Sequence, residues 1–286
     1  MATVAERLAA ARARLEAAGI SPAGARLDAE VLARHALGWD RAALVARSRD
    51  PEPAGFDRSF DALIARRAAR EPVAQITGTR EFWGLDFEVT PDVLTPRPET
   101  EMIVEEALAF ADAHPCRDVI DVGTGSGCLA VAIAHTRPGL RVHAIDISDA
   151  ALAVARRNAA RHHATERITF VRGDLFDGPT ATADVIVSNP PYVPDADAGH
   201  MQPEVVRHEP HTALFGGPGG LEIVERLFRE APAHLAPGGR LIVEFGFGQA
   251  DAVAALALDA GWTVIRVRED LQGIPRTIVL SRPDGM

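Results

Sequence analysis

The 286-residue chain predicts an α/β fold: a doubly wound, mostly parallel seven-strand sheet with a small helical bundle in front of it. Three observations carry this. From residue 117 onward, short apolar runs alternate with helix-like segments, the pattern of a parallel sheet covered on both faces. The first of those runs ends in three alternating glycines that open directly into an apolar helix. Residues 1–72, in contrast, read as helices only, separated by cap signals.

The elements follow in order. Thr3-Val4-Ala5-Glu6 has the spacing of a capping box, and Gly19 ends the helix it opens. Ser21-Pro22 offers an N-cap followed by proline at the first helical position. Leu27, Val31 and Leu32 give that helix an apolar face, and Gly38 closes it. Asp40 begins a shorter helix, and a last one runs from near Asp57 to Arg70, before Pro72. Residues 73–95 change character: Val73 to Thr77, then the run through Phe82, Trp83, Leu85, Phe87 and Val89, read as strands turning at Gly78 and Gly84, a β-hairpin connector. Thr95 to Glu101 then enters a helix. Strands are expected at 117–122, 141–146, 168–172, 184–188, 240–245, 262–268 and 276–281, with helices near 127–136, 149–162, 220–235 and 249–260. Residues 190–219 have few regular signals, and so long a loop in a compact domain is usually functional or disordered. The domains expected are 1–72, 73–95 and 96–286.

Composition narrows the function. Net charge is −10, which argues against broad electrostatic binding of nucleic acid. All 30 basic residues are arginine, so no lysine nucleophile or Schiff base is available. Cys116 and Cys128 are too few for a disulfide framework or a zinc cluster, and no metal site is expected. No window approaches the roughly 18 apolar residues of a membrane span. The expectation is a soluble, cytoplasmic protein without a membrane partner.

Four elements carry chemistry. Val119-Ile120-Asp121-Val122 runs into Gly123-Thr124-Gly125-Ser126-Gly127. Glycines let a backbone pass close to a ligand, and the helix behind them presents free N–H groups. This reads as a nucleotide-type crevice rather than only a tight turn. Cys128 stands where the dinucleotide fingerprint has a third glycine or alanine, which weakens a pyrophosphate reading. Asp146 closes the second strand, where a carboxylate can accept both ribose hydroxyls; its bland alternative is a helix N-cap. Asp174 follows the third strand and is either an acceptor for an adenine amino group or a turn aspartate. Asn189-Pro190-Pro191-Tyr192 follows the fourth strand and contains the only tyrosine of the chain. The two prolines have nearly fixed φ and no N–H, and residue 189 is pushed toward extended geometry. The segment is either a clamp for a flat, nitrogen-bearing group or a turn leaving a strand. All four elements line one rim.

Together, Asp121 to Gly127, Asp146 and Asn189 to Tyr192 resemble the S-adenosylmethionine-dependent methyltransferases of the seven-strand doubly wound class. The remaining chain resembles the PrmC/HemK family through its helical N-terminal domain, Glu81-Phe82-Trp83, Thr95 to Glu101, Arg207-His208-Glu209-Pro210, Ala213-Leu214, and Asp270 with Gly273 and Arg276. That resemblance implies a protein-glutamine methyltransferase acting on the Gly-Gly-Gln motif of class I peptide chain release factors. It implies S-adenosyl-L-methionine held by Gly123, Thr124, Gly125, Ser126, Gly127, Asp146, Asp174, Leu175 and Asn189. It also implies a glutamine amide held by Asn189, Pro190, Pro191 and Tyr192, and an N-terminal domain that recognises the protein partner. Asn189 and Pro190 would accept the two amide hydrogens, and Tyr192 would pack its ring on the amide. Glu244, at the end of the fifth strand, is left outside this candidate site. The alternative enzyme reading is methylation of an amino group on a nucleic-acid base, which must be flipped or single-stranded; the acidic balance disfavours it. A non-catalytic nucleotide-binding module is a further class.

Overall fold

The computed structural model describes residues 2–178 and 182–282. Met1, 179–181 and 283–286, which fall within the domains expected at 1–72 and 96–286, lie outside the described residues. The chain divides into two compact units. One comprises residues 1–79 and 202–208; the other comprises 80–201 and 209–286.

The N-terminal unit holds α1 (Val4–Ala17), α2 (Pro22–Leu37), α3 (Arg41–Arg47), α4 (Phe56–Ala68) and α5 (Val73–Thr77). The cap signals act as read. The Thr3 hydroxyl accepts from the Glu6 N–H, while the Glu6 carboxylate accepts from the Thr3 N–H. Ser21 and Asp40 cap α2 and α3 through the N–H groups of Gly24 and Ala43. Thr3→Ala is expected to cost about 1 kcal/mol, measured as a lower urea midpoint at unchanged m-value. The core gathers Val4, Leu8, Leu15, Leu32, Phe60 and Ile64.

One expectation fails here. Val73–Thr77 is helix, not strand. Pro72 fixes the entry and Gly78, at φ 74°, ends the turn. Burial of Ala74 and Ile76 outweighs the β preference of Val73, Ile76 and Thr77. The hairpin itself is shorter than expected, β1 (Thr79–Phe82) and β2 (Leu85–Glu88). Its two turn residues, Trp83 and Gly84, both have positive φ, 56° and 70°, as a type I′ turn requires. Trp83 is an unusual occupant. It is held there by its N–H on Glu101 and its indole N–H on the Thr136 hydroxyl.

The second unit continues through α6 (Glu101–Ala113), β3 (Asp118–Val122), α7 (Cys128–Thr136), β4 (Arg141–Asp146), α8 (Asp149–Arg161), β5 (Ile168–Arg172) and β6 (Ala183–Ser188). After α9 (Pro203–His208), which belongs to the N-terminal unit, come α10 (Glu222–Glu230), β7 (Leu235–Glu244), α11 (Ala250–Asp259), β8 (Thr263–Glu269) and β9 (Pro275–Ser281). The stretch expected to be irregular at 190–219 therefore contains a short helix and two 3-10 turns.

The seven-strand sheet has the order β5-β4-β3-β6-β7-β9-β8. Every pairing is parallel except those of β9. Helices cover both faces. Ile103, Leu129, Ile133, Val142 and Val185 pack on one side, and Ile145, Phe228, Leu241, Trp262 and Ile278 on the other. Strand order reverses between β3 and β6. Such a switch point leaves a crevice at the carboxyl ends of the strands. The glycine turn after β3 and Asn189 after β6 both stand there. Among the described residues, no helix is long and apolar enough to cross a membrane.

Candidate active site

The crevice is a cavity of about 360 Å³, in the range of small-molecule sites. Gly123, Thr124, Gly125 and Ser126 form one wall, and Asp146, Asp174 and Leu175 another. Asn189, Pro190 and Pro191 close it on the β6 side. Two of the residues expected in the site, Gly127 and Tyr192, do not line it.

The glycine turn is built for close approach. Gly123, Gly125 and Gly127 have φ of 74°, 54° and 80°, the left-handed region that glycine enters freely. The N–H groups of Gly123 and Thr124 both donate to the Ile145 carbonyl at 2.9 Å, tying the turn to β4. A Cβ at Gly123 would meet no protein atom within 4 Å, so the backbone borders open cavity there. At Gly127 a Cβ would lie 3.0 Å from the Ala155 Cβ. That glycine serves helix packing. Asn158, fully buried on α8, braces the turn from behind by donating to the Ser126 and Glu88 carbonyls and accepting from the Glu88 N–H.

Asp121 lies beneath the turn. Its Oδ2 accepts from the Thr124 hydroxyl and the Ala130 N–H, while Oδ1 is buried without a partner. Burial pushes this carboxyl up to about 7, against those two bonds. Asp146 is held on both oxygens, by the N–H of Gly125 at 2.8 Å and of Ser148 at 2.9 Å. Burial raises its pKa and the N–H groups oppose this. Each carboxylate oxygen has a second lone pair, so Asp146 can still receive a diol. Asp174 lies in an ion pair with Arg226 at 3.2 Å, both partners substantially exposed. Leu175 is buried at φ 54°. This is a strained conformation for a branched side chain and is of the kind that collects at functional sites.

The β6 side is more connected than its sequence suggests. Asn189 donates through Nδ2 to the Thr100 hydroxyl at 3.1 Å. Thr100 donates onward to Glu244 Oε2 at 2.7 Å, and the Tyr192 hydroxyl reaches Glu244 Oε1 at 3.3 Å. Glu244 is 2% exposed. Burial pushes its carboxyl up to about 7, against the Thr100 and Tyr192 hydroxyls; Glu99 also raises it and Arg276 lowers it. Burial and Glu244 together push the Tyr192 hydroxyl up, so it stays protonated. Gln249 accepts from the Gly246 N–H and donates to the Tyr192 carbonyl. Arg97, also on the cavity wall, is fixed by Glu209 at 2.6 Å.

Thr100, Arg226 and Asn158 escaped the sequence reading, and Glu244 was seen at its strand end but left outside the site. A lone carboxylate ending an apolar strand was the available signal for Glu244. Thr100 lay inside the segment from Thr95 to Glu101, one of those that carry the family resemblance. Nothing local marks Arg226 or Asn158. Burial pushes the Cys116 and Cys128 thiols up to about 11 and about 12, which leaves them protonated and unreactive.

Comparison with known proteins agrees with this arrangement. A family model of the methyltransferase small domain matches residues 102–212, and one of the PrmC N-terminal domain matches residues 6–78. A methyltransferase from Pyrococcus furiosus superposes with a TM-score of 0.52 at 21% identity, over 77% of this chain and 96% of that one. The hMettl16 catalytic domain in complex with a MAT2A 3′UTR hairpin gives 0.57 at 19% identity, over 78% and 82%. These two likenesses establish the fold. The methyltransferase small domain match, on this seven-strand sheet, makes the chain a methyltransferase dependent on S-adenosyl-L-methionine. The chain is 44% identical over 279 residues to the release factor glutamine methyltransferase of Cereibacter sphaeroides, covering 98% of each. It is 46% identical over 258 residues to that of Burkholderia pseudomallei, covering 87% of this chain and 90% of the other. It belongs to the release factor glutamine methyltransferase family.

Proposed function

We propose that this enzyme methylates the side-chain amide nitrogen of the glutamine in the Gly-Gly-Gln motif of class I peptide chain release factors. The observation that carries this reading is Asn189. Its amide stands on the cavity wall at the switch point, with its nitrogen committed to Thr100. The oxygen end is thereby left for a ligand that donates N–H. S-adenosyl-L-methionine supplies an electrophilic methyl group carried on a sulfonium. The cavity has a fitting size, and the residues that would hold it are the backbone of Gly123 to Ser126, Asp146 at the ribose hydroxyls, and Asp174 with Leu175 at the adenine.

An amide nitrogen is a weak nucleophile because its lone pair is delocalised into the carbonyl. It needs placing more than it needs a base. Asn189 Oδ1 and the Pro190 carbonyl would accept the two amide hydrogens and orient the nitrogen. Acceptors already in place stabilise the positive charge that grows there as the N–C bond forms and the methyl's bond to sulfur breaks, without reorganisation; one of the two amide protons then leaves to solvent past its acceptor. Proximity supplies much of the rest. Tyr192 contributes from behind the wall, where its hydroxyl and carbonyl are both anchored.

The N-terminal helical unit is the proposed recogniser of the protein partner, since one glutamine must be told from all others. The net charge of −10 supports the absence of a stable nucleic-acid partner, and a substrate used in translation supports a cytoplasmic location. The test is transfer of labelled methyl from S-adenosyl-L-methionine to a purified class I release factor, beside a Gly-Gly-Ala version. Label on the intact factor alone is expected. Label on both factors, or on neither, overturns the reading.

A further inference from the structure

We infer that Thr100 and Glu244 are positioning residues that fix which end of the Asn189 amide faces the substrate. The inference rests on the amide-methylating reading of the site. The argument starts from donor counting. Asparagine presents an acceptor oxygen and a donor NH2 of nearly the same shape, so either end can face the cavity unless a neighbour decides. The neighbour here is Thr100, 1% exposed, whose Oγ1 lies 3.1 Å from Asn189 Nδ2 and 2.7 Å from Glu244 Oε2.

A threonine hydroxyl has a single proton. An ionised carboxylate only accepts, so Glu244 takes that proton's hydrogen bond. The hydroxyl then has only lone pairs left to offer Asn189. Asn189 must meet it with NH2, which turns Oδ1 to the substrate side. Tyr192 supplies the second hydroxyl to the same carboxylate, on Oε1 at 3.3 Å. The four groups come from four separate places in the chain: the start of α6, the end of β6, the loop after it, and the end of β7. With the relay intact, Asn189 matches a primary amide, which donates two N–H bonds. With its amide turned over, NH2 would confront NH2 and the same site would repel its substrate.

The experiment compares Thr100→Val, Thr100→Ser, Asn189→Ala and the Thr100→Val/Asn189→Ala pair at pH 8, on the alkaline side of the value near 7 to which burial pushes Glu244. Thr100→Val is expected to lower kcat about five- to tenfold, one net hydrogen bond, with cofactor Kd unchanged. Thr100→Ser, which keeps the hydroxyl, recovers most of the loss. The pair should be no slower than Asn189→Ala alone, because Thr100 has nothing left to orient. A second readout needs no substrate: the side-chain amide NMR signal of Asn189, assigned by its disappearance in Asn189→Ala. It should move in Thr100→Val and in Glu244→Gln, and stay near its wild-type position in Thr100→Ser. A full effect of Thr100→Val persisting in the Asn189→Ala background, or an Asn189 signal unmoved by Thr100→Val, overturns the relay. A wild-type enzyme inactive on release factor counts against the amide reading alone, and the NMR signal then decides the relay.

Discussion

Asn189→Ala is expected to lower kcat on release factor about ten- to a hundredfold, the loss of one hydrogen bond to a group that becomes charged. The protein stays folded, because Asn189 is only half-buried and its bond to Thr100 lies at the cavity wall. Steady-state kinetics at saturating cofactor, with a thermal melt alongside, checks both halves. Near-normal turnover by a folded variant would remove the amide clamp from the mechanism. The effect belongs in kcat because the bond matters most when charge has developed on the substrate nitrogen. A loss confined to KM would mean that Asn189 serves binding only.

Arg67→Ala is the largest stability effect expected, about 3–5 kcal/mol. Arg67 is 6% exposed, and each of its three guanidinium nitrogens has a partner. It donates to Asp28 at 2.7 Å, to Glu204 at 2.9 Å and to the Glu71 carbonyl at 3.2 Å. Removing it takes the cation from Asp28 and leaves Glu204 with Arg70 alone, so two poorly hydrated carboxylates lose the charge they shared. Arg26→Ala, which breaks the exposed pair with Glu30, should cost no more than about 0.5 kcal/mol. Hydrogen exchange locates the damage: in Arg67→Ala, amide protection should fall in α2 and α4 and hold in β3 and β6. Equal loss for the two variants would show that this buried cluster contributes nothing beyond a surface pair.

What the sequence made legible was local. The capping box at Thr3, the helix stop at Gly38, the strand-glycine-helix junction at 123–127 and the strand ends at Asp146 and Asn189 each announce themselves within a few residues. Segments whose outcome depends on distant partners were not legible. Val73 to Thr77 has strand-like residues, yet it folds as helix because Pro72 and Gly78 frame a single turn whose apolar side finds a core. Thr100 and Glu244 meet across 144 positions, and no propensity encodes such a meeting. Tyr192 was read as packing its ring on the substrate amide, but its hydroxyl turns toward Glu244 and it does not line the cavity. The rim could be drawn from strand ends alone, whereas the polar supports behind it needed the three-dimensional register.

The discontinuity of the N-terminal unit bears on how the protein is made. Glu204 follows Arg67 by 137 residues, and a ribosome adding about 5–20 residues per second needs roughly 7–27 s to cover that distance. Once Arg67 has emerged it can meet Asp28, but its second carboxylate is still to come. The unit begun first is thus completed late, after β3 to β6 have been synthesised. A nascent chain stopped before residue 204 should be measurably more open to protease in α4 than one released whole.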